Sequence, residues 1–389
     1  MTGRERTWVW VHPRAQGPTL PVVHQDQRTE PRMMTHPTTL PAPFGLSRRS
    51  LLGLVTSAAV MSRIAPAFAA PAIGGNRRIA PGLYEIVVNP TTNRVYVAAA
   101  GQRGANDASI MVLDPVTLEA SSAIELRDEP AFGLALNNRT QTLYTTNTRS
   151  GSVSAIDLRD NSAVKISEGE GAHLRQVLVD EDSNTVYASA FGAKEKPSAV
   201  WIIDGATKKV AGTVGDLKGG ISGLALDKAG KRLFAAAMGD NEIVEIDLAG
   251  RAVKRRFASG GERPANLVFD AANGRLLVTN QGSGDVTVLN AADGKLLNTV
   301  KTGEGALGIT LSPNNGLIYV ANRGAGTVSV IDGKSLSVLA SLATGTHPNT
   351  VAVDPRTNFA YVTNKAKMSP RGQPPVEDPN GDTVTIIKP

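Results

Sequence analysis

Leu317-Ile318-Tyr319-Val320-Ala321-Asn322, a turn over 323–326, and Thr327-Val328-Ser329-Val330-Ile331-Asp332 make up a phrase that recurs along the chain. Tyr96, Tyr144, Tyr187, Phe234, Leu277, Tyr319 and Tyr361 hold one position of it, 42 to 48 residues apart. Asp114, Asp157, Asp204, Asp247, Asn290 and Asp332 hold a second, at the end of the third strand of the first six units. Two markers that keep step over this length are no accident of composition. A repeat of this period made of strands alone is the mark of a β-propeller blade.

Working outward from that phrase, 308–311 reads as the innermost strand of the sixth unit. Ser312-Pro313-Asn314-Asn315-Gly316 reads as a turn whose Asn and Gly accept positive φ. The stretches 317–322, 327–332 and 338–343 are the second, third and outer strands. Apolar residues alternate with small or polar ones, as in strands packed between neighbouring blades, and no helical period appears beyond residue 69. The seventh unit has inner, second and third strands at 350–354, 359–364 and 383–388, and the chain as given has no fourth. Residues 77–80, just before the first inner strand, are expected to supply it and close the ring, removing the open sheet edges that invite aggregation. The expected fold is an all-β, seven-bladed β-propeller with four-stranded blades, one domain over 70–389.

Upstream, Ser47-Arg48-Arg49-Ser50-Leu51-Leu52-Gly53 reads as a twin-arginine export motif. An apolar run over 51–60 follows, then Ala67-Phe68-Ala69 as a small-residue cleavage pattern after Ala69. The run is shorter than the roughly 20 residues a membrane span needs. Residues 34–69 are therefore expected to be a signal peptide and 1–33 a disordered upstream extension. The mature chain is expected in the periplasm, or secreted where the cell has a single membrane, as a monomer with no membrane span.

Removing that leader changes what the charge means. Eight of the 41 basic and three of the 35 acidic residues lie in 1–69, which leaves 33 against 32. The basic balance belongs to the export segment and does not mark a nucleic-acid-binding domain as a whole. With no cysteine, disulfides, thiolate chemistry and lipid attachment are excluded.

The segments Thr346-His347-Pro348-Asn349, 138–144 (Asn-Arg-Thr-Gln-Thr-Leu-Tyr), 113–119 (Leu-Asp-Pro-Val-Thr-Leu-Glu) and 223–227 (Gly-Leu-Ala-Leu-Asp) with 230–233 (Gly-Lys-Arg-Leu) resemble the bacterial YncE family of exported YVTN-repeat propellers, over essentially all of 73–389. The resemblance implies an exported binding or scaffold propeller, with single-stranded DNA as one partner proposed for the family. Members of the family commonly carry an ordinary secretion signal, so the twin arginines are a departure in route.

In a propeller, the loop from the previous blade and the loop joining second to third strands emerge on one face, around the mouth of the central channel, which makes that funnel the default site. Aligning the repeats there gives Gly82, Pro130, His173, Gly220, Arg263, Gly305 and His347. His173 and His347 are the two histidines of the mature chain. Glu85, Arg175, Gln176, Asn266, Asn349 and Thr350 lie nearby. Polar residues also line water-filled channels without a ligand, and a His-Pro step can simply shape a turn. Loops at 101–109, 192–198 and 365–382 are lengthened on the same face, as insertions on a binding side often are.

Arg103, Arg149, Arg175, Lys194, Lys196, Arg263, Arg323, Lys365, Lys367 and Arg371 give that mouth a phosphate-contacting set. Aromatics are only 4% of the chain, leaving Tyr84, Phe132 and Phe191 as stacking candidates. Metal-assisted lactone hydrolysis would need convergent ligands, and Glu85, Asn266, His173 and His347 are the set available for it. Asp378-Pro379-Asn380-Gly381-Asp382 resembles a calcium loop but lacks the bidentate Glu that completes one. No nucleophile elbow, phosphate-cradling loop or heme motif occurs.

The reading is a propeller that binds an anionic ligand or single-stranded DNA at its funnel, with no cofactor and no metal of its own. The alternatives are a metal-dependent lactonase-like hydrolase and a protein partner of an exported redox enzyme.

Overall fold

The computed structural model describes residues 70–102, 104–127, 129–168, 171–192, 196–369 and 376–389. The extension 1–33, the export segment with Arg48, Arg49 and Ala69, and Arg103, Lys194 and Arg371 lie outside the described residues.

Among the described residues every regular element is a strand, and none is a helix that could cross a membrane. The strands form seven antiparallel four-stranded sheets, six of them from four consecutive strands. Innermost strands touch in order around a ring, from Leu83–Asn89 of blade 1 to His347–Val353 of blade 7, which returns to blade 1.

The Tyr-Val-Thr-Asn phrase has a physical account, one residue at a time. Its aromatic is buried between blades, and Tyr361 Oη donates to Pro115 O of blade 1 at 3.0 Å. The hydroxyl two residues on ties its blade to the next. Thr146 donates to Arg175 O (2.6 Å), Ser189 to Ser222 O (2.6 Å), Thr279 to Leu307 O (2.7 Å) and Thr363 to Tyr84 O (2.7 Å). The Asn after it reaches into the third strand of its own blade: Asn322 Nδ2 donates to Ser329 Oγ and Asn364 Nδ2 to Thr385 Oγ1, both at 2.9 Å. The Asp marker closes the turn that follows, as where Asp332 Oδ1 accepts from Lys334 N at 3.0 Å. The Oδ1 atoms of Asn280, Asn322 and Asn364 and the Tyr319 hydroxyl stay buried without a partner, a cost that the apolar contacts between blades offset.

The N-terminal strand does close the ring, but over Ala72–Arg78, longer than and upstream of the expected 77–80. It pairs antiparallel with Thr383–Lys388, Ala72 opposite Lys388 and Arg78 opposite Thr383. Its Ala-Ile-Gly-Gly stretch lacks alternation because the register shifts between Ile73 and Gly75. Asn76 Nδ2 fastens it to Thr385 Oγ1 (2.7 Å) and to Thr344 O at the end of blade 6 (2.9 Å). In the sixth blade the second, third and outer strands fall where the pattern places them, and the inner strand begins two residues earlier, at Ala306.

A candidate anion site at the funnel

Near its start, the inner strand slips register against the second strand in six of the seven blades. A bulge leaves residues unpaired and re-aims their side chains. Glu85 with Tyr84, Arg175 with Gln176, and Asn349 with Thr350 all occupy such bulges.

One rung earlier, the carbonyls of Gly82, His173, Gly220, Arg263 and Gly305 accept from the N–H of Ala100, Phe191, Met238, Gln281 and Arg323. His347 is paired with Lys365 at the same level. The residues opposite the aligned ring thus stand four positions after each repeat aromatic. Sequence reasoning counted Arg323 and Lys365 only as basic residues near the mouth. Extending the repeat alignment by those four positions was the signal that would have placed them on one rung.

The three rings named from sequence each carry a cation. Lys365 Nζ lies 3.4 Å from the Tyr84 ring centroid, Arg149 is 5.7 Å from that of Phe132, and Arg175 is 4.9 Å from that of Phe191. Tyr84 and Phe132 meet edge to face at 4.6 Å.

Electrostatics concentrate where blades 6, 7 and 1 meet. Lys365 is 6% exposed, and burial together with the Arg323 charge pushes its amine down to about 7. Burial lowers the Arg323 guanidinium as well, and its Nη1 donates to Asn349 Oδ1 at 2.6 Å. His347 is lowered by burial and by Arg323, and its Nδ1 is buried without a partner. Burial pushes the Glu85 carboxyl up to about 7, against the hydrogen bond from Thr350. Among the described residues no carboxylate lies within 4.0 Å of the cationic groups of Arg149, Arg175, Arg323 or Lys365.

The Asp378–Asp382 turn is committed elsewhere. Asp382 Oδ1 accepts from the N–H groups of Gly82 (3.0 Å), Leu83 (3.4 Å) and Ala366 (3.2 Å). Asp378 accepts from Thr346 Oγ1 at 2.7 Å and Lys367 N at 3.0 Å. These carboxylates sew the long blade 7 loop to the chain entering blade 1. Among the described residues no group of three or more His, Cys, Asp or Glu gathers to hold a metal, so the hydrolase alternative has no ligand set there.

The remaining candidates are dispersed. Gln176 Oε1 accepts from Leu224 N, and Asn266 Oδ1 from Leu267 N at 2.8 Å. Both line a cavity of about 280 Å³ in the channel with Leu178, Leu226, Phe269 and Ile309. Arg263 is exposed in the left-handed region (φ 54°), its N–H on Asn241 Oδ1, and His173 is exposed. A larger hollow of about 460 Å³ lies among turns of blades 5 and 6, where Lys301 pairs with Asp285 at 2.7 Å.

Comparison with known proteins gives a family model, YNCE-like beta-propeller, matching residues 105–368. The chain is 31% identical to the YncE protein of Escherichia coli (strain K12) over 251 residues, 61% of this chain and 69% of that protein. It is 30% identical to the YncE protein of Salmonella typhimurium over the same length and coverage. Among solved structures, Kuenenia stuttgartiensis hydrazine synthase superposes with a TM-score of 0.61 over 73% of this chain and 93% of that chain. At 19% identity that likeness concerns the fold alone.

Proposed function

The chain belongs to the YNCE-like β-propeller family, and from that premise we propose that it is an exported, monomeric binding propeller whose ligand is anionic and docks at the funnel. Single-stranded nucleic acid is the ligand class that the mouth favours. The observation that carries this reading is the repeated pairing of a cation with an aromatic ring, at Tyr84, Phe132 and Phe191. Rings offer stacking faces to bases of any sequence, and the cations meet the phosphates between them. The twin arginines at Arg48 and Arg49 with cleavage after Ala69 support a periplasmic destination, or secretion from a single-membrane cell.

Fluorescence anisotropy of a labelled oligothymidylate titrated with protein at several salt concentrations tests the proposal. Affinity should fall with salt, at a logarithmic slope of about 0.7 per phosphate contacted. Absence of binding at low ionic strength would remove nucleic acid from consideration.

A second reading, a scaffold for a protein partner, has one observation in its favour. Leu296 and Leu297 of blade 5 and Val338 and Leu339 of blade 6 stand exposed at equivalent positions of the two outer strands.

A further inference from the structure

We propose that His347, Lys365 and Arg323 build a discrete subsite for a dianionic terminal phosphoryl group, so that the funnel distinguishes a phosphomonoester from the monoanionic phosphodiesters of a chain interior. The inference rests on the anion-binding reading above and narrows it to one group of the ligand.

Three observations converge. His347 and Lys365 are direct cross-strand partners, which puts both side chains on the same face of blade 7. The charge of Arg323, from the neighbouring blade, acts on both. Its own rung partner is Gly305, which has no side chain to block its reach toward Asn349. No other blade sets a histidine opposite a lysine here, since the equivalent pairs are Gly82 with Ala100, His173 with Phe191, Gly220 with Met238, Arg263 with Gln281 and Gly305 with Arg323, and blade 2 has Pro130 and Thr148 at these positions. The framework of the repeat therefore does not require it.

Charge selects the ligand. Buried cations are normally paired, and an unpaired one is costly. Here Lys365 is more than nine-tenths buried with Arg323 beside it and Arg149 also acting on it. The carboxylate whose charge reaches Lys365, Asp382, is held by three backbone N–H groups. With Lys365 taking up a proton as the ligand binds, its ammonium and the Arg323 guanidinium together match a dianion better than a carboxylate or a phosphodiester. The donors, the Lys365 ammonium and the rest of the Arg323 fork, outnumber the two oxygens of a carboxylate and suit the three of a phosphoryl group. His347 Nδ1 adds to them when the ring is protonated. The Arg323 charge opposes that proton until an anion offsets it.

The full chain is titrated by calorimetry with phenyl phosphate, inorganic phosphate, dimethyl phosphate and benzoate. In parallel, one oligothymidylate is used with and without a 5′-phosphate. Phenyl phosphate and inorganic phosphate are expected to bind at least about ten-fold more tightly than dimethyl phosphate and benzoate, with net proton uptake at pH 7.5. Lys365→Met and Arg323→Met, each checked for an unchanged circular dichroism spectrum, should each lose about ten-fold or more, and Asn138→Ser, in a turn bonded to Glu181, should lose none. Equal affinity for the monoester and the diester, or an unchanged affinity in folded Lys365→Met, overturns the subsite even if oligonucleotides bind. Tight monoester binding with no oligonucleotide binding upholds the subsite and refutes the nucleic-acid reading. A gain for the 5′-phosphorylated strand over the small phosphates assigns the group to a strand end, and equal affinities assign it to a free phosphomonoester.

Discussion

Lys365 and His347 face one another across the blade 7 ladder, with the Lys365 amine 3.4 Å from the centroid of the Tyr84 ring of blade 1. Tyr84 and Lys365, 281 positions apart in sequence, are thereby joined at the seam where the propeller closes. The same seam carries Glu85 and the Asp382 turn, so ring closure and the charged site are one construction.

The seam makes stability depend on pH in two opposed ways. The Glu85 pKa is raised from 4.5 to about 7, so the folded state binds the extra proton between those values. That contribution is fully present below 4.5 and lost as pH rises through 7. Urea denaturation should show Glu85→Gln gaining on the wild type between pH 5 and pH 8 by roughly 2 kcal/mol, at about 1.4 kcal/mol per pKa unit. Lys365, lowered from 10.5 to about 7, runs the other way, with stability present above 10.5 and lost as pH falls through 7. Lys365→Met should flatten that limb.

Ring closure by Ala72–Arg78 predicts the effect of its removal. A chain beginning at Ile79 exposes the edge of Thr383–Lys388 and loses both hydrogen bonds of Asn76. A loss of several kcal/mol is expected, which in a domain of this size lowers Tm by roughly 10 °C, with a rise in light scattering. An unchanged melting curve would mean that the strand contributes nothing to closure.

The cation–ring pairs predict two separable effects on oligonucleotide binding. Arg175→Ala should weaken binding and reduce the salt slope by about 0.7, the signature of one phosphate contact. Phe132→Ala should cost about 1–3 kcal/mol with the slope unchanged, as loss of a stacking face does. Asn138→Ser, in the turn where Asn138 bonds Glu181, should alter neither.

Gly220 holds φ +68°, and a Cβ there would lie 2.6 Å from the Phe191 ring. Gly220→Ala should therefore displace Phe191, destabilise the domain by about 1–3 kcal/mol, and weaken strand binding while leaving phenyl phosphate affinity unchanged. A variant with wild-type strand affinity would show that Phe191 takes no part.

Export through the twin arginines predicts that Arg48→Lys combined with Arg49→Lys leaves the precursor in the cytoplasm. Cell fractionation with immunoblotting checks this, and normal export of the double variant would refute the route.

Much of the fold was legible because each letter of the repeated phrase has a local or next-blade task that does not vary around the ring. The hydroxyl of Thr363 and that of Thr279 do the same work 84 residues apart. The candidate site is a separate matter. Arg175 and His347 were named from position in the repeat, Tyr84, Phe132 and Phe191 as the aromatics left near that face, and in the structure each of these rings lies against a cation. Gln176 and Asn266 were placed at the mouth by the same reasoning, yet their amide oxygens accept backbone N–H groups within the channel, because a bulge turns successive residues in different directions.

The chain's own order of residues determined the number of blades, their strands and the absence of disulfides, since hydrophobic alternation and turn chemistry act over a few residues and repeat without long-range information. Only the tertiary structure decided that Lys365 is buried opposite His347 with the Arg323 charge acting on both, that Asp382 is satisfied by backbone N–H groups, and that closure begins at Ala72. Those outcomes depend on which charges burial removes from water and on contacts between the two ends of the chain, and neither quantity is carried by any short stretch of sequence.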